Sequence, residues 1–388
     1  MALPDKQLMI SVLIPDAETT ETLKVLRCLN QASTVKVYIL SRNRWSMARF
    51  SRYRKGCYHN KSRNEDDWVS EVIRLVRELE INIVLPVTVD GVKFVSKNRE
   101  AISEFAVVPP LAKPEQIEMA DNKWAFHKFL EQHGLPSVPT ILIGKAGEDI
   151  PEPSVLDSIE YPALLKPVSQ KGGFGIVKVK DASDFDRAWH DKSIMKGRQY
   201  ILQSFVKAFD YSLSVCCKRG EIIAYTLYRS LVSSENPYEI GKLVEYVNDE
   251  QMLDVGRRLV SAMGWEGVAD IDILFDESYQ KMMILEFNPR FWQSLLGGKI
   301  AGVNFPLTWC LNAMGTNQPS SQYAGTRYAR PSLYIKTLFG RLTARKPPMK
   351  IRWSESDLQF VIRDPLPELV YITRKIVNRF KGLKKGKN

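Results

Sequence analysis

Three oxygen-bearing side chains set the chemistry this chain can do. Glu286 and Asn288 sit in Leu285-Glu286-Phe287-Asn288-Pro289-Arg290, with Asp272 shortly upstream. Residues two apart on a strand point to one face. Gly267 to Phe275 reads as a second strand, and the Asp-Glu-Ser run between the two reads as a turn. A hairpin folded about Tyr279 sets Asp272 opposite Glu286 and Asp270 opposite Asn288. Like charges facing each other across a ladder are destabilising. Such an oxygen-rich face makes sense where a hard cation such as Mg²⁺ sits. The plain alternative is a solvated polar face on an ordinary hairpin.

A second group of residues suits phosphate. Pro162-Ala163-Leu164-Leu165-Lys166-Pro167 is an apolar strand with a lysine near its end. It runs through Ser169-Gln170-Lys171-Gly172-Gly173-Phe174-Gly175 and returns as Ile176 to Lys180. Glycines let backbone N–H groups approach phosphate oxygens closely, and Lys166 supplies a point charge beneath them. An ordinary flexible hairpin is the more frequent source of such glycines, and the chain has no GxxxxGK[ST] loop. Lys123 opens a helix that Asp121 or Asn122 can cap. A lysine there opposes the helix dipole and hints at a nearby anion.

The elements that must position these groups read as follows. Residues 8–14 and 35–40 are strands around a helix at 19–31, and a helix near 65–80 leads to the strand 83–85. Alternating strands and helices argue for a parallel sheet covered on both faces. The expectation is a small doubly wound domain over 1–115, without a GxGxxG turn. A basic segment carrying Arg42, Arg44, Arg49, Arg52, Arg54 and Lys55 follows its second strand, where it is either an anion contact or a solvated loop. Past Pro109, Pro110 and Pro114 the pattern predicts a helix over 117–133 ended by His133-Gly134. It continues with a helix over 181–197 beginning near Ser183, strands at 200–206, 211–217 and 221–228, and a helix at 250–263. After the hairpin a helix starts near Gly298 and carries Leu307, Trp309 and Leu311. Arg229, after the strand ending at Tyr228, is either a contact for an acidic acceptor or a strand-end charge.

Composition narrows the class. At 388 residues, 44% of them hydrophobic, the chain is long enough for two or three domains. It has no apolar window of spanning length and no signal-peptide layout at its start, so the expected location is cytoplasmic. Five scattered cysteines form no CxxC pair, which fits a reducing compartment. The four histidines are scattered too, and no zinc or nucleophile–base set is visible.

The order of these parts is lysine-led helix, lysine strand, glycine-rich loop, paired strands, then Asp…Glu-x-Asn-Pro-Arg. That order resembles the ATP-grasp superfamily, in the branch of the carbamoyl-phosphate synthetase large chain and biotin carboxylase. The resemblance covers about residues 1–315. It implies a mixed α/β and α+β architecture, with a doubly wound pre-ATP-grasp domain (1–115) before a two-subdomain ATP-grasp fold with antiparallel sheets (116–318). Within the latter it implies a lid subdomain at about 135–200, and 319–388 is left as a basic extension.

Residue by residue, the resemblance implies that Lys123 and Lys166 hold nucleotide phosphates and that Gly172, Gly173 and Gly175 form a mobile lid. Gln203-Ser204-Phe205-Val206 matches the hinge strand whose backbone reads adenine, although many relatives carry an acidic residue where Ser204 stands. Asp210 matches the ribose contact, Asp272, Glu286 and Asn288 the magnesium ligands, and Arg290 an arginine beside the transferring phosphoryl group or acyl substrate. The implied cofactors are ATP and Mg²⁺ (or Mn²⁺). The implied reaction activates a carboxylate as an acylphosphate for attack by an amine or related nucleophile, with Arg290 and Lys166 as the catalytic charges. That would be a carbon–nitrogen ligase acting on small-molecule carboxylate and amine substrates, with no nucleic acid and with homo-oligomerisation open. The alternative is a catalytically inactive ATP-binding regulatory or scaffold protein recruited to a membrane by its basic tail.

The tail has its own signal. From Arg327 onward sixteen Lys or Arg stand against four Asp or Glu, so this region carries +12 of a net +11 and the rest sums to −1. Beyond the basic linker at Arg345 to Lys350, Leu369, Ile372, Ile376, Phe380 and Leu383 fall on one helical face among basic residues. Two readings are open for 368–388: a helix on the anionic inner face of a membrane, or a helix packed on the protein with a frayed end.

Overall fold

The computed structural model describes residues 9–30, 34–146, 148, 153–170, 173–191, 194–233, 241–276, 280–316, 325–342 and 350–385, with backbone alone at 153–154, 340–342 and 378–385. Gly172, the tip at Tyr279, the loop from Ser234 to Tyr238 and the linker from Arg345 lie outside these residues. The chain forms two units. One joins residues 1–113 to 290–388, and the other is 114–289.

The first unit begins with β1 (Ile10–Ile14), α1 (Thr20–Leu29), β2 (Val35–Ser41), a 3-10 turn (Met47–Phe50), β3 (Gly56–His59), α2 (Glu65–Glu78), β4 (Ile83–Val84), α3 (Val89–Lys97) and α4 (Arg99–Ser103). The four strands form a parallel sheet in the order β3-β2-β1-β4. Val12, Leu13, Ile14, Ile39 and Leu40 are fully buried, as strands covered on both faces require. Helix starts are fixed locally. Asn64 caps α2 by accepting from Asp67 N at 2.8 Å, and Glu65, Asp66 and Asp67 complement the positive end of its dipole. The basic segment is neither a simple loop nor free. It contains the 3-10 turn and leads directly into β3, and the Arg42 guanidinium lies 4.7 Å from the Trp68 ring centre.

At the end of β1, Asp16 is buried. It accepts hydrogen bonds from Val87 N, Thr88 N and Thr88 Oγ1. Burial pushes its carboxyl up to about 7. Gly91 passes so close that a Cβ there would meet Asp16 Oδ2 at 1.9 Å.

The second unit runs α5 (Pro114–Asp121), α6 (Lys123–Gln132), β5 (Thr140–Lys145), α7 (Pro153–Leu156), β6 (Ala163–Pro167), β7 (Val177–Val179), α8 (Ala182–Trp189) and β8 (Gln199–Ser204). It continues with β9 (Phe209–Lys218), β10 (Glu221–Val232), β11 (Leu243–Tyr246), α9 (Glu250–Met263), β12 (Gly267–Asp276) and β13 (Lys281–Asn288). Two antiparallel sheets result. One has the order β5-β8-β6-β7, and the other places this unit's strands as β13-β12-β9-β10-β11. The smaller sheet packs on α8 through Leu165, Phe185, Trp189 and Tyr200.

Two helices expected here differ from their sequence reading. The helix expected over 117–133 is two helices, because Asn122 is extended and its side chain caps the second by accepting from Ala125 N at 3.0 Å. The helix expected to 197 ends at Trp189 and is capped by Asp181 rather than near Ser183.

In the β12–β13 hairpin Asp272 opposes Glu286 and Asp270 opposes Asn288, the register expected for a turn centred on Tyr279. Past that pair the register slips: Ile273 opposes Ile284, and Leu285 is the extra residue of a bulge.

The chain then returns to the first unit with α10 (Leu295–Ile300), α11 (Phe305–Ala313), β14 (Arg327–Ala329), α12 (Pro331–Leu342), α13 (Leu358–Arg363) and α14 (Leu366–Lys385). The single helix expected from Gly298 is thus a pair starting at Leu295. Gly302, at φ 104°, breaks it, and Asn304 caps the second half, which carries Trp309. Both halves pack on α1, where Lys299 Nζ donates to the carbonyls of Arg27 and Cys28.

Candidate functional site

The site is built where the two sheets of the second unit present their polar groups. Lys166 is the fourth residue of β6 and is only 4% exposed. A buried ammonium needs an acceptor. Its Nζ donates to Gln203 Oε1 at 2.7 Å, and Gln203 donates through Nε2 to Thr140 Oγ1 at 2.9 Å. Desolvation lowers the Lys166 pKa, while Glu286 and Asp272 oppose that shift. Lys123 opens α6. Its Nζ donates to the Gln170 carbonyl at 3.0 Å and lies 3.6 Å from Glu286 Oε1. Asn288 Nδ2 donates to Asp272 Oδ2 at 3.1 Å.

Two lysines and an Asp/Glu/Asn set therefore meet at one place. Beside them runs the glycine turn, with Gly173 and Gly175 at φ 73° and 77°, in the left-handed region that glycine alone adopts freely. Lys123, Pro167, Gln170, Gly173, Phe174, Ile176 and Glu286 line a cleft of about 30 Å³. Phe174 at the turn is 67% exposed.

Ladder geometry extends the polar face. Asp272 pairs with Ser212 and Leu274 with Asp210, so Asp210, Ser212 and Asp272 share a face. Asp270 is buried and accepts from Ser212 Oγ at 2.8 Å and Ser214 Oγ at 2.7 Å. In the hinge segment, Ser204 N donates to the Pro139 carbonyl and Phe205 N to the Pro162 carbonyl. Val206 packs with Val138, Leu274 and Met283, and Lys178 Nζ sits 3.3 Å over the Phe205 ring. Ser204 Oγ is buried without a hydrogen-bond partner.

Two arginines singled out in the sequence have partners of their own. Arg290 begins the return into the first unit, where its Nη1 donates to the Phe291 carbonyl at 2.8 Å. Arg229 lies within β10, which runs on to Val232 rather than ending at Tyr228, and it pairs across strands with Glu245 at 2.9 Å.

Sequence reasoning missed the side chain of Gln203 as the partner of Lys166, and the Ser212–Ser214–Asp270 group. The second had a signal: serines two apart on a strand next to a strand carrying Asp270 and Asp272. The first had none, because the link joins residues 37 apart in sequence.

The donor set suits a hard cation. It consists of two carboxylates and an amide, all oxygen ligands, and leaves room for water and phosphate oxygens to complete a shell. Among the described residues no three His, Cys, Asp or Glu side chains converge.

Residues 120–294 match the family model described as an ATP-grasp domain. That segment, rather than the whole chain, is what resembles an ATP-grasp domain. Its fold is shared with biotin carboxylase from Campylobacter jejuni, solved as a βγ-ATP complex, at TM-score 0.62 and 16% identity over 83% of this chain and 75% of that one. An L-amino acid ligase from Bacillus licheniformis aligns at TM-score 0.58 and 16% identity, covering 80% of this chain and 77% of that one. In sequence, a D-alanine–D-alanine ligase from Phocaeicola vulgatus is 23% identical over 184 residues, 44% of this chain and 55% of that protein. The chain spans about half the length of the curated relatives it matches. The ATP-grasp match takes in Lys123, Lys166, the glycine turn and the whole β12–β13 hairpin.

Proposed function

We propose that the ATP-grasp domain is an ATP- and Mg²⁺-dependent ligase that activates a small-molecule carboxylate as an acylphosphate for attack by an amine. The observation that carries this reading is the meeting of Lys123 and Lys166 with Asp272, Glu286 and Asn288 beside a glycine turn. Phosphoryl transfer asks for positioning and charge neutralisation more than for covalent chemistry. A metal ion held by Asp272, Glu286 and Asn288 would supply charge neutralisation to the phosphates.

The chain's own residues do the rest. Lys166, aimed by Gln203, and Lys123 meet phosphate oxygens. The backbone N–H groups of the glycine turn, Gly173 among them, would close over them. A cleft of about 30 Å³ has room for about one water, so the turn must open to admit a nucleotide. Once closed it keeps water from an acylphosphate. Val206 and Phe205 offer an apolar seat for adenine, and Asp210 reaches ribose hydroxyls from the same sheet face. Arg290, next in the chain after the hairpin, would meet the acyl or transferring phosphoryl group. The substrate's own carboxylate is the nucleophile.

The retained lysines and donors favour an enzyme over an inactive regulatory scaffold, which would have no need of them together. A cytoplasmic location fits this reading, with 368–388 at the inner face of a membrane. The testing experiment screens pairs of amino acids and other carboxylates for ADP and phosphate release by the purified protein. Substrate-dependent ADP release supports the ligase. Nucleotide binding without turnover on any pair supports the scaffold.

A further inference from the structure

The apolar side of α14 faces away from the protein. Leu366, Leu369, Ile372 and Ile376 are each between 51 and 57% exposed. At 3.6 residues per turn they form one stripe, which Phe380 and Leu383 continue in the sequence. The helix is fastened by other positions. Glu368 forms a two-pronged pair with the buried Arg27, both contacts at 2.8 Å. Arg374 Nη1 donates to the Trp45 carbonyl, and its guanidinium lies 5.2 Å from that ring's centre. Just before the helix, Asp364 accepts from Ser51 Oγ at 2.8 Å and Arg52 N at 2.9 Å. Anchoring through polar groups on one flank turns the apolar stripe outward, where a helix packed by its hydrophobic face would bury it.

Charge selects what covers the stripe. Residues 369–388 contain Arg374, Lys375, Arg379, Lys381, Lys384, Lys385 and Lys387 and no acidic residue. The nearest carboxylate, Glu368, is engaged by Arg27. A second copy of this helix would bring cations against cations. Apolar depth flanked by negative charge is what an anionic lipid interface offers. We propose that α14 lies in the interfacial plane of an anionic bilayer, inserting Leu366, Leu369, Ile372 and Ile376 while its lysines and arginines meet lipid phosphates. This holds the first unit at a lipid surface and is independent of which substrates the ATP-grasp domain takes.

The test floats the full chain on vesicles of phosphatidylcholine alone and of phosphatidylcholine with phosphatidylserine. The wild type should float with the mixed vesicles only, and raising salt from ~0.1 M to ~0.5 M should cut the bound fraction about tenfold. The Leu369→Ser/Ile372→Ser/Ile376→Ser variant should lose about tenfold in flotation on the mixed vesicles and keep its thermal midpoint, since all three side chains are exposed. Equal flotation of that variant, or equal binding of wild type to neutral vesicles, overturns the proposal. So does absent flotation together with a wild-type dimer, seen in sedimentation velocity, that the triple variant abolishes. That result would assign the stripe to a second copy.

Discussion

Asp16 in the first unit and Glu286 in the second are both carboxylates at the end of a strand's reach, yet the fold treats them in opposite ways. Asp16 is 2% exposed and enclosed by donors from the start of α3. Those donors are neutral, and burial raises its pKa to about 7. The Glu286 side chain is 29% exposed and faces Lys123 across 3.6 Å. A carboxylate satisfied by backbone donors holds a turn together. One left partly open opposite lysines, beside another acid, is available to a ligand. Burial alone does not mark a functional acid; the kind of partner does.

That contrast can be broken from either side. The largest effect belongs to Glu286→Ala, which should lower ADP release by about 10³-fold while shifting stability by less than ~1 kcal/mol. Full turnover in a folded variant would remove Glu286 from the site. Lys166→Ala comes next, weakening nucleotide binding about 100-fold; unchanged affinity in calorimetry would make Lys166 a structural residue only. Asp16→Ala should do the reverse of Glu286→Ala. It leaves Val87 N, Thr88 N and the Thr88 hydroxyl without their acceptor, so denaturant unfolding should show a loss of about 2 kcal/mol, with nucleotide affinity intact.

The smallest effect is a pH slope. The folded pKa of Asp16, about 7, lies above its unfolded value near 3.8. The folded state therefore holds this proton more tightly, and the resulting stabilisation is fully present below the unfolded pKa and fades as pH rises to about 7. Asp16→Asn cannot titrate. The drop in thermal midpoint between pH 5 and pH 8 should therefore be smaller in the variant by roughly 2–4 °C. Identical slopes in the two proteins would mean Asp16 ionises normally.

Much of the second unit was legible because its signals are local. The parity of Glu286 and Asn288, set against Asp270 and Asp272, needed only a turn position to give the observed register. The lysine strand and its return are one short hairpin, with Ala163 opposite Val179. Caps such as Asp249 on α9 and Gly264 after it lie within one turn of the helix they end. What stayed hidden depends on distant partners. The short strands β3 and β11 carry too few residues to show a period, and each exists through its neighbour in a sheet. Gln203 reads as a hinge residue in sequence, and only the alignment of β6 on β8 brings it to Lys166. Nothing local announces that Asp364 and Glu368 reach back to Arg27, more than 330 residues away.

The extra residue at Leu285 has a consequence for length changes in this hairpin. Counting back from the tip, Met283 shares a face with Leu274, whereas beyond Leu285 it is Glu286 that shares a face with Asp272. One surface thereby switches from odd-numbered greasy positions to even-numbered oxygen donors within three residues. Removing Leu285 would keep the strand's composition and most of its hydrogen bonding, yet rotate either the acids or the methionine to the wrong side. Tolerance to insertion should therefore end abruptly here, while the tip a few residues away accepts it.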